Sequence, residues 1–221
     1  MKQIRFQIEY DGRFSYSWAY ALYSAFLKDL DKDKGNQIHE DKFFNQYISP
    51  REWIINTDID YSFRDEYYLN KFDTRIKLKD KKISIFSEQN MADKFLVNDP
   101  YKKTVRIRFL TPTSFKQAGD YVLFPTKNLI MQSLSNKWNS WAEKFTLEDI
   151  EWDNCKISRY DLRSINYLLK GVRIQAFIGY VDIFFWGGES LIRLGNMVCN
   201  FGNYSGIGIK TSLGMGGCLI E

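Results

Sequence analysis

Between Val105 and Ile220 the hydrophobic period switches repeatedly between that of a strand and that of a helix, and this order constrains the fold most. Val105-Arg106-Ile107-Arg108-Phe109-Leu110 alternates apolar and polar side chains, the signature of a half-buried strand, and Pro112 is expected to end it. Residues 128–145 place Ile130, Leu134, Trp138, Trp141 and Phe145 on one helical stripe. Residues 156–169 and 172–186 carry strand-like runs with Gly171 between them. Residues 189–201 read as a second helix, with Leu191, Leu194, Met197, Val198 and Phe201 on one face and Gly202 expected to terminate it. A glycine-rich segment follows, then a short strand at 218–220. Strand, helix, two strands, helix, strand is the βαββαβ ferredoxin-like unit.

This unit begins near Tyr101. The first half opens the same way, as a decayed copy would. Ile4, Phe6 and Ile8 alternate over a strand at 3–10. Trp18, Leu22, Ala25, Phe26 and Leu30 fall at helical spacing over 16–31, with Ser15 or Ser17 as the cap and Gly35 as the stop. Trp53-Ile54-Ile55 fits a strand or a short helix. Residues 64–82 are charged and show little periodicity, 83–87 read as a strand, and 91–96 as a short helix.

The chain has 221 residues, enough for one large domain or two small ones at roughly 100–200 residues each. Hydrophobic residues make up 44% and charged residues 26%, which excludes disordered, collagenous and low-complexity classes. The longest near-apolar run, Ala176 to Trp186, contains Asp182 and falls short of the roughly 20 residues a bilayer needs, so no membrane partner is expected. The first ten residues carry no apolar signal segment. Cys155, Cys199 and Cys218 are scattered and read as core thiols of a reducing compartment, so the expected location is the cytoplasm. The net charge is +4, and residues 154–217 hold seven basic against three acidic side chains. Such an excess is compatible with a polyanion and equally with an ordinary solvated surface.

Two segments carry chemistry. In Tyr204-Ser205-Gly206-Ile207-Gly208-Ile209-Lys210-Thr211-Ser212-Leu213-Gly214-Met215-Gly216-Gly217, five glycines fall within twelve residues. Such density suits a loop whose backbone N–H groups turn outward to an anion, or a purely structural turn. A nucleotide-triphosphate loop needs glycine directly before Lys-Ser/Thr, and here Ile209 precedes Lys210. The other segment, Phe109-Leu110-Thr111-Pro112-Thr113-Ser114-Phe115, is by itself only a strand end with free hydroxyls.

Taken in order, FLTPTSF (109–115), SLSNKW (133–138), AFIGYV (176–181) and YSGIGIKTSLGMGG (204–217) resemble the CRISPR-associated repeat-processing endoribonucleases of the repeat-associated mysterious protein (RAMP) superfamily. Gly206, Gly208, Gly214 and Gly216 match that superfamily's glycine-rich loop. The resemblance implies an α+β fold of two tandem ferredoxin-like domains, 1–100 and 101–221, the first less regular. It implies cleavage of precursor CRISPR RNA within each repeat, for antiviral defence, with no metal and no cofactor. Repeat RNA is the implied partner, and effector-complex subunits or a second copy of the chain are candidate partners.

The resemblance also implies site residues. His39 follows the first helix and would be the general base or acid, since imidazole titrates near neutrality. Tyr23 would be a hydrogen-bond donor or the paired proton carrier. Lys42 would stabilise the charged phosphorane. Packing for Tyr23 and a solvated role for Lys42 are the alternatives. The backbone of 206–216 with Lys210 is a candidate phosphate grip. Arg159, Arg163 and Arg173, on or beside the second-half strands, are candidates for phosphate or base recognition, and Tyr160 and Tyr167 for base stacking. Two other readings compete: a non-catalytic RAMP subunit that holds guide RNA, and a phosphate-binding metabolic enzyme.

Overall fold

A computed structural model of the chain describes residues 1–30, 43–148 and 150–221. The first half forms β1 (Lys2–Tyr10), α1 (Trp18–Asp29), β2 (Asn45–Ile48), β3 (Glu52–Thr57), β4 (Glu66–Leu69) and β5 (Thr74–Ile85). Its antiparallel sheet has the order β2-β3-β1-β5-β4. Ile4, Phe6 and Ile8 are buried and alternate with Arg5, Gln7 and Glu9, which are exposed. Trp53 lies in a strand and packs edge-on against Phe26 of α1, ring centroids 6.4 Å apart. A regular ferredoxin-like unit carries a helix between its third and fourth strands. Here the chain after β3 instead packs Tyr61 and Phe63 against Phe26, at 5.4 and 4.9 Å, and adds β4 at the sheet edge.

The structure corrects several boundaries in this half. Ser17 stands at the N-cap of α1, but its side chain makes no capping bond there and donates to the Leu168 carbonyl at 3.1 Å. The helix ends at Asp29, where Leu30 turns extended, and the expected stop at Gly35 lies outside the described residues. The charged stretch from 64 holds β4, a 3-10 turn over Asn70–Phe72 and the first part of β5, which alternates in burial only from Thr74 to Leu78. Past Leu78 every residue of β5 is exposed, so hydrophobic alternation has nothing to select for. The short helix starts three residues early, as α2 (Glu88–Ala92), because Ser87 Oγ accepts the Asn90 N–H at 3.1 Å, and it unwinds through a π turn to Asn98.

The second half comprises β6 (Thr104–Thr113), the small hairpin β7 (Phe115–Gln117) and β8 (Asp120–Val122), α3 (Lys127–Trp141), β9 (Cys155–Leu169), β10 (Val172–Phe185), α4 (Glu189–Ser205) and β11 (Cys218–Ile220). The order β11-β6-β10-β9 is that of a ferredoxin-like sheet. The chain is therefore an α+β protein with two tandem units of this kind. Lys170 and Gly171 both take positive φ, 51° and 85°, as a tight β9–β10 turn requires.

Three expectations fail here for physical reasons. Pro112 does not end β6. The β6–β10 register shifts opposite it, between Phe177 and Gly179, so its missing N–H interrupts no ladder bond, and its carbonyl accepts the Gly216 N–H at 3.1 Å. α3 stops at Trp141, because the Glu88 carboxylate captures the N–H groups of Glu143 and Lys144 at 3.0 and 3.1 Å. Phe145 still reaches Trp138, through its carbonyl on the indole N–H at 2.8 Å. Gly202 lies inside α4, which runs on to Ser205 and is capped by Gly206 at φ 63°.

Two main cores result. One joins α1 to the first sheet through Trp18, Leu22, Phe26, Trp53 and Ile76. The other joins α3 and α4 to the second sheet through Ile107, Leu134, Trp138, Val181 and Phe201, and takes in Phe43, Phe86 and Met91. The three cysteines are buried free thiols. Among the described residues no helix is long and apolar enough to cross a membrane.

Candidate functional site

α1 delivers Tyr23 to the flank facing the returning chain. Its side chain is buried, with the ring tilted against Phe44 at 5.3 Å. Burial, helped by Tyr20, raises the Tyr23 pKa above the ordinary phenolic value, so the hydroxyl keeps its proton near neutral pH. His39 and Lys42 lie outside the described residues. The chain leaves the described region seven residues after Tyr23, at Leu30, and re-enters at Phe43, directly before the phenylalanine that Tyr23 touches.

The glycine-rich loop joins α4 to β11 and lies between the two halves. Its N–H groups do not turn outward at three of the expected glycines. Gly206 N–H donates to the Gly202 carbonyl at 3.0 Å, Gly208 N–H to Ser133 Oγ at 2.9 Å, and Gly216 N–H to the Pro112 carbonyl at 3.1 Å. These glycines instead permit close approach. Gly214 takes φ 98°, and a Cβ there would collide with the Ala19 methyl of α1. A Cβ on Gly217 would collide with the Tyr47 ring. The loop packs both halves together, against neighbours that no local pattern identifies.

Lys210 stands apart in this loop. It is the only exposed residue from 203 through 218. It also holds a left-handed conformation, φ 55° and ψ 35°, which disfavours any side chain. Beneath it, the Lys137 amine donates to the Ser205 carbonyl at 2.9 Å and to Thr211 Oγ1 at 3.1 Å. Burial among neutral oxygens draws the Lys137 pKa down to about 7. Lys137 belongs to the SLSNKW string, but as one lysine among many it carried no functional signal.

Arg159 and Arg163 lie four residues apart on β9 and are exposed on the same face. Their cross-strand neighbours are Asp182 and Ile178. Arg173 pairs with Leu168 at the far end of the hairpin and points to the other face. The face of Arg159 also carries two arginines that sequence reasoning passed over. Arg106 binds Asp182 in a bidentate pair at 2.7 and 2.8 Å and stacks on Tyr180 at 4.0 Å, while Arg108 pairs with Glu221 at 3.0 Å. The clean alternation of 105–110 was the available signal for them. Tyr167 is unavailable for base stacking, because it is buried and its hydroxyl donates to the Leu213 carbonyl at 2.6 Å. Tyr160 is exposed and packs edge-on against Phe124 at 5.3 Å. Among the described residues no group of His, Cys, Asp and Glu side chains is arranged to hold a metal ion.

A loop that closes a ferredoxin-like unit, with a strained exposed lysine at its tip, and an arginine-bearing sheet face in the same unit each suit a polyanion. Known proteins share this fold. A Cas6 product complex superposes with a TM-score of 0.77 at 17% identity, covering 100% of both chains. A Thermus thermophilus Cas6 gives 0.69 at 18%, covering 100% of this chain and 98% of the other. A CRISPR-associated endoribonuclease Cas6 of Streptococcus thermophilus is 28% identical over 245 residues, spanning 100% of this chain and 98% of that relative. The family model for the CRISPR-associated endoribonuclease Cas6 matches residues 107–218, from β6 through the glycine-rich loop into β11. The chain belongs to the CRISPR-associated endoribonuclease Cas6 family.

Proposed function

We propose that this protein cleaves precursor CRISPR RNA within its repeats, without a metal ion, and so produces guide RNAs. Membership of the Cas6 family carries the reading. Structurally similar proteins in complex with a product and with a substrate mimic support an RNA ligand.

The reaction needs only groups the chain supplies. A ribose 2′-OH loses its proton to a base and its oxygen bonds the adjacent phosphorus. The bond from phosphorus to the 5′-oxygen breaks, and that oxygen takes a proton from an acid. The products are a 2′,3′-cyclic phosphate and a 5′-hydroxyl, with no net gain or loss of water or electrons. His39 serves as base or acid, with Tyr23 as donor or paired proton carrier. The raised Tyr23 pKa favours a donor role. Lys42 steadies the phosphoryl charge. Lys210, Arg159, Arg163 and Arg173 bind the RNA, the first at the loop tip. Gly206, Gly208, Gly214 and Gly216 give the loop its path.

The test is incubation of the purified protein with repeat RNA in excess chelator, followed by mapping of both product ends. Cleavage at one position, leaving a cyclic phosphate and a 5′-hydroxyl, is the expected result. Dependence on added metal overturns the mechanism. Tight binding without cleavage favours the non-catalytic RAMP reading instead.

A further inference from the structure

The short turn Thr211–Leu213, directly after Lys210, is gripped at each residue by a side chain from a different element. Lys137 of α3 donates to Thr211 Oγ1 at 3.1 Å. Gln46 of β2 donates to the Ser212 carbonyl and to the Ala19 carbonyl, both at 3.2 Å, while its own oxygen accepts the Trp53 indole N–H at 2.9 Å. Tyr167 of β9 donates to the Leu213 carbonyl at 2.6 Å. Gln46 and Tyr167 are fully buried, and both halves of the chain contribute. The Lys210 carbonyl in turn accepts the N–H groups of Leu213 and Met215, at 3.0 and 3.3 Å. The position of Lys210 therefore follows that of the turn.

A three-residue 3-10 turn has little stability of its own. A left-handed lysine adds roughly 1–2 kcal/mol of cost, which glycine would avoid. Glycine at 210 would serve packing equally well without that cost. Strain of this kind persists where surrounding contacts over-determine it, and it concentrates at functional sites.

We propose that Lys137, Gln46 and Tyr167 are positioning residues that hold Lys210 where it meets a phosphate of the bound RNA. This rests on the RNA-processing function proposed above. The three do not touch the RNA. They act through the turn.

Salt dependence of RNA affinity separates this role from a structural one. Each phosphate contact contributes about 0.7–0.9 to the slope of log affinity against log salt. The probe is repeat RNA with a 2′-deoxy nucleotide at the cleavage position, which binds without being cut. Lys210→Ala is expected to lower the slope by about that amount. Tyr167→Phe and Thr211→Val each remove one grip on the turn and no charge. Each is expected to lower the slope by part of that amount, and Tyr167→Phe in the Lys210→Ala background is expected to lower it no further. At saturating cleavable RNA both neutral variants keep the wild-type cleavage rate, so the loss lies in binding. Two neutral variants that lose thermal stability but keep the wild-type slope would overturn the inference and leave Lys210 as an RNA contact. A wild-type slope in Lys210→Ala removes that contact itself. Absence of any salt dependence in the wild type defeats the RNA reading.

Discussion

Phe43 and Phe44 are adjacent in sequence and bury their rings in different cores. Phe43 packs with Trp141 and Phe201 in the second half, at 6.2 and 6.4 Å. Phe44 packs with Tyr23 and Phe26 in the first, at 5.3 and 6.4 Å. The chain emerging after Lys42 is thus pinned at once to both halves. Two consequences follow, one for stability and one for activity. Phe43→Ala and Phe44→Ala should each destabilise the fold by about 3–5 kcal/mol, read as a shifted denaturant midpoint. Only Phe44→Ala should also slow cleavage at saturating RNA under conditions where both variants remain folded, because it alone removes the support of Tyr23. Equal rates in the two variants would detach Tyr23 from the chemistry.

His39→Ala should lower the single-turnover cleavage rate by roughly 10²–10⁴, the usual range for a lost proton-transfer group, while RNA affinity stays within a few-fold. Tyr23→Phe keeps the ring that packs on Phe44 and removes only the hydroxyl. Its cleavage rate should fall while its melting temperature holds. A variant at His39 that cuts at the wild-type rate would move the proton work elsewhere.

The glycines make opposite predictions according to their neighbours. Gly217→Ala forces a methyl into the Tyr47 ring, and Gly214→Ala forces one into Ala19 at a positive φ. Each should cost at least 1–3 kcal/mol, the usual range for overpacking. Gly202 sits in helix α4, where a Cβ would meet Cys218 Sγ and Leu134 Cδ2 at a tight 3.3 Å. The helical preference for alanine, worth about 1 kcal/mol, offsets that crowding, so Gly202→Ala should be close to neutral. Urea denaturation of the three variants reads the difference.

These glycines also mark the limit of what sequence could convey. The helices α3 and α4 were legible because each buries one stripe against a sheet, and β1 and β6 because each has one wet and one dry face. The last seven residues of β5 bury nothing, so residues 79–82 carry no pattern, and Ile83 and Ile85, which do read as strand, are exposed. Gly202 looked like a stop because glycine ends helices more often than it relieves crowding inside them. The glycine-rich loop was evident, but which of its N–H groups are used internally depends on Ser133, Ser114 and Pro112, far away in sequence. Lys137 and Gln46 were invisible for the same reason, since their partners are backbone and hydroxyl oxygens of a distant turn. His39 stood out as the chain's single histidine, and its role came from resemblance.

Acid should weaken the second sheet through Asp182. Its bidentate bond with Arg106 holds the carboxyl below the usual carboxylate range. The unfolded chain titrates this group near 3.9, so the stabilisation is fully present above that pH and is lost as pH falls through the lower folded value. Asp182→Asn should therefore be less stable than wild type at neutral pH, with the gap closing below about pH 4. Thermal melts across pH 2–7 test this, and a constant gap would assign the loss to packing.

Lys210 sets stability against binding within one residue. Its left-handed backbone costs roughly 1–2 kcal/mol that glycine does not incur, while glycine gives back about 0.4–1 kcal/mol through a freer unfolded chain. Lys210→Gly should therefore gain about 0.5–1 kcal/mol in equilibrium denaturation, the difference between these two effects. Lys210→Ala keeps a Cβ at the same positive φ and should gain nothing. Both variants should bind repeat RNA more weakly, by an equal amount, because both remove the same ammonium. A stabilised Lys210→Gly with reduced affinity would mean the loop tip holds a strained cation for the sake of its ligand. Unchanged affinity in both would leave the strain without a function and take the loop tip out of the RNA path.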